Sequence, residues 1–134
     1  MKPRWVLDTN VLISAALTRG GTCDLLFQAL ADGQFAAAWD YPLVAEYREV
    51  LARPRFRFSR PVQAELLALF DLAWHTPAAG QVRSLPDPHD EPFLAVALAT
   101  PDRVLVTGNV KHFPPSCRAG VTVLTPREAL ARLA

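Results

Sequence analysis

Residues 4–14 read Arg4-Trp5-Val6-Leu7-Asp8-Thr9-Asn10-Val11-Leu12-Ile13-Ser14, and this stretch decides the fold. A short apolar run stops at an acid. A helix-like run, Val11-Leu12-Ile13 and then Ala15-Ala16-Leu17, follows and lasts to the breaker Gly20-Gly21. A strand that does not alternate apolar with polar residues is buried on both faces, as strands of parallel sheets are.

The pattern recurs along the chain. Phe35-Ala36-Ala37-Ala38-Trp39, Val104-Leu105-Val106-Thr107 and Val121-Thr122-Val123-Leu124 read as further strands, and a weaker one fits around Val82. Helices fall between them. Thr22 is placed to cap one that Gly33 ends, and Asp40 caps another, with Pro42 in its first turn, running to about Ala52. Ser59 opens a helix with Leu66, Leu67, Leu69 and Phe70 on its apolar side, and Asp90-Glu91-Pro92 opens one that runs through Ala99. Thr125-Pro126-Arg127-Glu128 is a capping box with proline at the first helical position. The alternation predicts one α/β domain over residues 1–134, with a central parallel sheet of about five strands sandwiched between helices.

Composition bounds the function. The 134 residues are 51% apolar and 20% charged, enough for a packed core and unlike a disordered chain. The longest apolar run, Phe93 to Ala99, is far short of a membrane span, and Asp8 and Asn10 interrupt any secretory signal, so the cytoplasm is the expected location. Cys23 and Cys117 make neither a metal spacing nor a disulfide framework, and His75, His89 and His112 form no pair on one helix face. A net charge of +1 excludes a global basic field. Its distribution is more informative. Arg53, Arg55, Arg57 and Arg60 crowd one stretch and Asp87, Asp90 and Glu91 another, an arrangement suited to holding a metal and a phosphate chain together.

Ligands of open parallel sheets lie beyond the carboxyl ends of the strands. Asp8 ends the first strand, Asn109 follows a later strand after Gly108, and Asp90 opens the helix before that strand. On the helix after Asp40, Leu43, Val44, Tyr47, Val50 and Leu51 form an apolar stripe. Glu46 falls about 85° from the centre of that stripe and Glu49 nearly opposite it, so Glu46 can look along the sheet toward the crevice. Three carboxylates, Asp8, Glu46 and Asp90, converging without matching cations invite a divalent ion, and oxygen-only ligands suit Mg²⁺ or Mn²⁺. Each residue also has a plainer role. Asp8 and Asp90 can cap helices, Glu46 can be a solvated helix residue, and Asp87 and Asn109 can serve turns. The convergence, rather than any one position, carries the reading.

In order and spacing, Val6 to Ser14, Glu46-Tyr47-Arg48-Glu49-Val50-Leu51, Asp87-Pro88-His89-Asp90-Glu91-Pro92-Phe93-Leu94 and Val106 to Pro114 resemble the motifs of PIN-domain ribonucleases. The resemblance spans nearly the whole chain and is closest to the toxin components of toxin–antitoxin pairs. It implies that Asp8, Glu46 and Asp90 bind Mg²⁺ or Mn²⁺ and that the protein hydrolyses RNA phosphodiester bonds, with water attacking phosphorus in line and no covalent enzyme intermediate. The family's frequent fourth acid falls at Asn109, which brings no charge, and Asp87 or Glu91 are candidates to supply it. Asn10 and Thr107 would support the site. Arg53, Arg55, Arg57 and Arg60, interleaved with Phe56 and Phe58, would line the approach of RNA, although the same stretch also reads as a packed connection with solvated arginines. The implied partners are RNA, a cognate antitoxin protein that blocks the acidic crevice, and a second copy in a homodimer.

Two other readings stand beside this one. A PIN-like module that binds RNA or protein without cutting is kept open by Asn109. A haloacid-dehalogenase-like phosphatase is weaker, because Asn10 stands where its second aspartate belongs and only Lys2 and Lys111 can supply its lysine.

Overall fold

Strands that are apolar on both faces need cover on both sides, and the computed structural model, which describes residues 2–134, provides it. In chain order the elements are β1 (Arg4–Leu7), α1 (Thr9–Leu17), α2 (Thr22–Ala31), β2 (Ala36–Ala37), α3 (Tyr41–Leu51), α4 (Arg60–Leu67), α5 (Glu91–Leu98), β3 (Val104–Val106), β4 (Thr122–Leu124) and α6 (Pro126–Leu133). The strands form one parallel sheet in the order β2-β1-β3-β4, which leaves β1 and β3 at its centre. Val6, Leu7, Leu105 and Val106 are fully buried there. Among the described residues no helix is long and apolar enough to cross a membrane.

The sheet has four strands rather than about five. The residues around Val82 lie in an irregular loop, where the guanidinium of Arg83 donates to the side chain of Gln81 at 2.7 Å in solvent. The place beside β2 is taken instead by a single parallel bridge between Trp39 and His75, in which Thr76 N–H donates to the Trp39 carbonyl at 2.7 Å. One apolar residue between Gln81 and Arg83 has too little to bury to hold a strand against the sheet.

Several caps match their sequence signals. Asp40 Oδ1 accepts the Leu43 N–H at 3.1 Å, Ser59 Oγ accepts that of Val62 at 3.3 Å, and Thr125 and Glu128 cap α6 reciprocally. Thr22, in contrast, is the first residue of α2, and Gly21 occupies the cap. A Cβ at Gly21 would stand 3.0 Å from the Thr18 side chain, and Asp24 already accepts the Gly20 N–H at 2.8 Å, so the turn is closed from inside the helix. The helix after Ser59 ends at Leu67. Phe70 lies beyond it in a turn, yet it is buried against Tyr47 with ring centroids 4.6 Å apart.

Tyr47 fixes the position of α3. It is wholly buried, packs against Phe70 and Phe93, and its hydroxyl donates to the Leu7 carbonyl at 2.5 Å. The helix carrying Glu46 is thereby tied to the carboxyl end of the strand that precedes Asp8. Tyr47→Phe keeps the packing and removes this buried bond, so it is expected to lower unfolding stability by about 1–2 kcal/mol in urea titrations. An unchanged midpoint would show that the bond does not hold the two elements together.

Candidate functional site

Asp8 occupies the junction of β1 and α1 and is only 6% exposed. As the N-cap of α1 its Oδ1 accepts the Thr9 N–H at 2.8 Å, while its own N–H donates to the Val106 carbonyl at 2.9 Å. Its Oδ2 accepts the Thr107 hydroxyl at 2.8 Å and Asn10 Nδ2 at 3.1 Å. Thr107 Oγ1 in turn accepts Asn10 Nδ2 at 3.3 Å and the Asn109 N–H at 3.0 Å. Asn10 Oδ1 accepts the Gly108 N–H at 2.9 Å, and a Cβ on residue 108 would stand 3.2 Å from that oxygen. The close approach therefore favours glycine. These bonds clamp the loop after β3 onto the first turn of α1.

Glu46 is half-buried and accepts a hydrogen bond from the Thr9 hydroxyl. Glu49, one turn on, is exposed and pairs with Arg53 at 3.0 Å. Asp90 ends a 3-10 turn (Pro88–Asp90) and enters α5, but its side chain caps nothing. That side chain is 13% exposed, and its Oδ2 is buried without a hydrogen-bond partner. Nδ1 of His112 lies 3.3 Å away, outside hydrogen-bond alignment. Among the described residues none of these three acids pairs with a lysine or arginine.

Asp8, Glu46, Asp90, Asn10 and Asn109 line one crevice of about 470 Å³, together with Arg53, Arg55, Phe56, His89 and His112. Asp87 is not on this wall. It is exposed, and its carboxylate accepts the His89 N–H at 3.0 Å, which holds it below the usual aspartate range. Glu91 faces a separate cavity of about 420 Å³ and accepts the Leu85 N–H at 3.3 Å, so neither acid lines the crevice with Asn109. Of the four arginines, Arg53 and Arg55 reach the crevice while Arg57 and Arg60 do not. Phe56 and Phe58 stack at 5.5 Å and pack on the core, and Arg55 lies over the Phe56 ring at 4.7 Å. Both histidines in the crevice escape a search for two ligands on one helix face, because they arrive from different turns, Pro88–Asp90 and Val110–His112. Their only sequence signal is position: each lies within a motif that also supplies a crevice residue.

Burial pushes the Asp8 carboxyl from an ordinary 3.8 up to about 6, and the charges of Asp90 and Glu46 add to the effect. The bonds from Thr107 and Thr9 oppose it without cancelling it. Asp90 is also raised, first by its burial, with Asp87 and Glu46 adding and His112 opposing. Like charges are thus held close at the expense of stability, a strain that a divalent cation would relieve. The oxygen donors and the unpartnered Asp90 Oδ2 have the chemistry for such an ion. Among the described residues no three histidine, cysteine or acidic side chains are gathered into a ready cage. Glu46 and Asp8 instead bond to Thr9, Thr107 and Asn10.

A family model described as a PIN domain matches residues 4–111, from β1 to just past Asn109. No curated protein and no solved structure matches the chain.

The raised Asp8 carboxyl fixes a pH dependence. Folded Asp8 binds its proton more tightly than unfolded Asp8, so in chelator the protein should gain stability as the pH falls from about 7.5 toward 5. A shift of this size corresponds to on the order of 3 kcal/mol at most. In Asp8→Asn that slope should flatten, as read from thermal unfolding across the same range. An equal slope in both proteins would assign the strain to another group.

Proposed function

The chain belongs to the PIN-domain family, a nuclease-type fold, and on that premise we propose that it is a metal-dependent endoribonuclease, with residues 1–134 working as one domain. The observation that carries this reading is that Asp8, Glu46 and Asp90 line one crevice at the carboxyl edge of a parallel sheet and, among the described residues, pair with no lysine or arginine.

In this reading Asp8, Glu46 and Asp90 hold Mg²⁺ or Mn²⁺. Such an ion, when bound, lowers the pKa of an attacking water and offsets charge developing on the phosphate. The chain's own groups do the rest. Thr107 and Asn10 hold Asp8 in one rotamer, and Thr9 does the same for Glu46. Arg53 and Arg55 supply positive charge at the rim for the phosphate chain, and Phe56 offers a ring face to a base. Water attacks phosphorus in line, the bridging oxygen leaves, and no side chain forms a covalent bond to the substrate. The toxin role rests on the motif resemblance alone; an antitoxin segment carrying an arginine would suit the acidic crevice. Growth of cells expressing the chain alone, with arrest expected for a toxin and normal growth counting against it, tests that role separately.

One observation favours a second reading, a module that binds RNA or protein without cutting it. Asn109 stands where the resemblance puts a fourth acid, and among the described residues the crevice is lined by no acid besides Asp8, Glu46 and Asp90. RNA cleavage by the purified protein separates the two. Cutting should require Mg²⁺ or Mn²⁺, stop in EDTA, and fall at least about a hundredfold in Asp8→Asn and in Glu46→Gln. RNA that is bound but left intact with either metal would put the binding module ahead. Undiminished cutting by Asp8→Asn would place the activity outside this crevice.

A further inference from the structure

Asn109, uncharged where the resemblance puts a fourth acid, shares the crevice with an imidazole, that of His112. His112 ends the 3-10 turn Val110–His112, and its N–H donates to the Asn109 carbonyl at 2.9 Å, so the turn fixes one residue against the other. Both line the crevice, and the His112 side chain is half exposed at 51%. Its Nδ1 lies 3.3 Å from Asp90 Oδ2, the buried oxygen that has no hydrogen-bond partner.

A contact of that length between a ring nitrogen and a carboxylate is ordinarily a hydrogen bond, and here the alignment for one is missing. Two donors at neighbouring corners of an octahedron around an ion bound at about 2.1–2.3 Å stand roughly 3.0–3.2 Å apart, close to this separation. His89, the other histidine of the crevice, is unlike it. Its ring is 90% exposed, and its Nδ1 lies 3.2 Å from Asp87 within its own turn.

We propose that Asp90 Oδ2 and His112 Nδ1 form a mixed nitrogen–oxygen ligand pair that makes this site select a first-row transition dication over Mg²⁺. The proposal rests on the reading that the crevice binds a divalent cation, and refines it. Mg²⁺ is a hard ion that prefers oxygen donors, whereas imidazole suits first-row dications such as Fe²⁺, Ni²⁺ and Zn²⁺. Mn²⁺ stands lowest in that series and also accepts oxygen donors, so a preference for it over Mg²⁺ is the strictest test. A histidine in place of a charged fourth acid therefore changes which ion is favoured, rather than restoring the missing charge.

The test is ion binding by the full chain, with Mn²⁺ as the probe. The free-ion electron paramagnetic resonance signal reads Mn²⁺ directly, and competition against it reads Mg²⁺. Wild type should bind Mn²⁺ at least about tenfold more tightly than Mg²⁺. His112→Ala should weaken Mn²⁺ binding about tenfold or more and shift Mg²⁺ binding less than about twofold. His112→Gln, which keeps a polar side chain, should behave like His112→Ala, and circular dichroism checks that each variant is folded. Equal losses for both ions, or tighter binding once His112 is gone, would overturn the proposal by reducing His112 to a charge partner of Asp90. Mn²⁺ binding that Asp8→Asn abolishes and His112→Ala leaves intact would overturn it while keeping the carboxylate site. If wild type binds neither ion, the proposal and the reading beneath it both fall.

Discussion

A carboxylate buried at the end of a central strand cannot be left without donors, and meeting that requirement organises this molecule around Asp8. Its two oxygens take a backbone N–H from Thr9, a hydroxyl from Thr107 and an amide hydrogen from Asn10. Thr107 accepts from Asn10 and Asn109, and Asn10 accepts from Gly108. The loop after β3 therefore has its course set by the hydrogen-bond needs of one side chain at the end of β1. A hydrogen-bonded network of this kind holds its members in one arrangement, because any member left unpaired in the interior is costly.

The third helix is held by the same junction through two consecutive residues. Tyr47 points into the core and bonds the Leu7 carbonyl, whereas Glu46, about 100° away around the helix, turns toward the crevice and takes the Thr9 hydroxyl. Core packing and site geometry are thus set by adjacent positions on one helix. Movement of α3 along the sheet would disturb both bonds together. The carboxylates pay for this order in stability, since Asp8 and Asp90 are each raised by burial and by neighbouring acids. Groups arranged so that they repel one another are a common mark of functional sites.

Charge is segregated around the crevice in a way that the net value of +1 conceals. The acids lie at the sheet edge, and Arg53 and Arg55 line the same opening from the connection after α3. Arg53, just past the end of α3, pairs with Glu49 on that helix, and Arg55 rests on Phe56, so both exposed guanidinium groups have a neighbour that orients them.

Much of this architecture was legible in the residues alone. Apolar runs at 5–7, 104–106 and 123–124, which do not alternate with polar residues, point to a parallel sheet covered on both sides. Asp40, Ser59 and Thr125 mark helix starts by local hydrogen bonding that needs no distant partner. The stripe on α3 turned Glu46 away from solvent for the same reason, since helical periodicity is a property of neighbours. The tertiary structure decided the rest. Val82 did not become a strand, because strand formation depends on a partner edge and burial that the short run around it cannot secure. Asp87 and Glu91 stayed outside the crevice while His89 and His112 entered it, although all four lie within a few residues of Asp90 or Asn109. Asp8 and Thr107 share a hydrogen bond across 99 positions of chain. Such meetings are set by how elements pack in space, and periodicity, which extends only a few residues, carries no record of them.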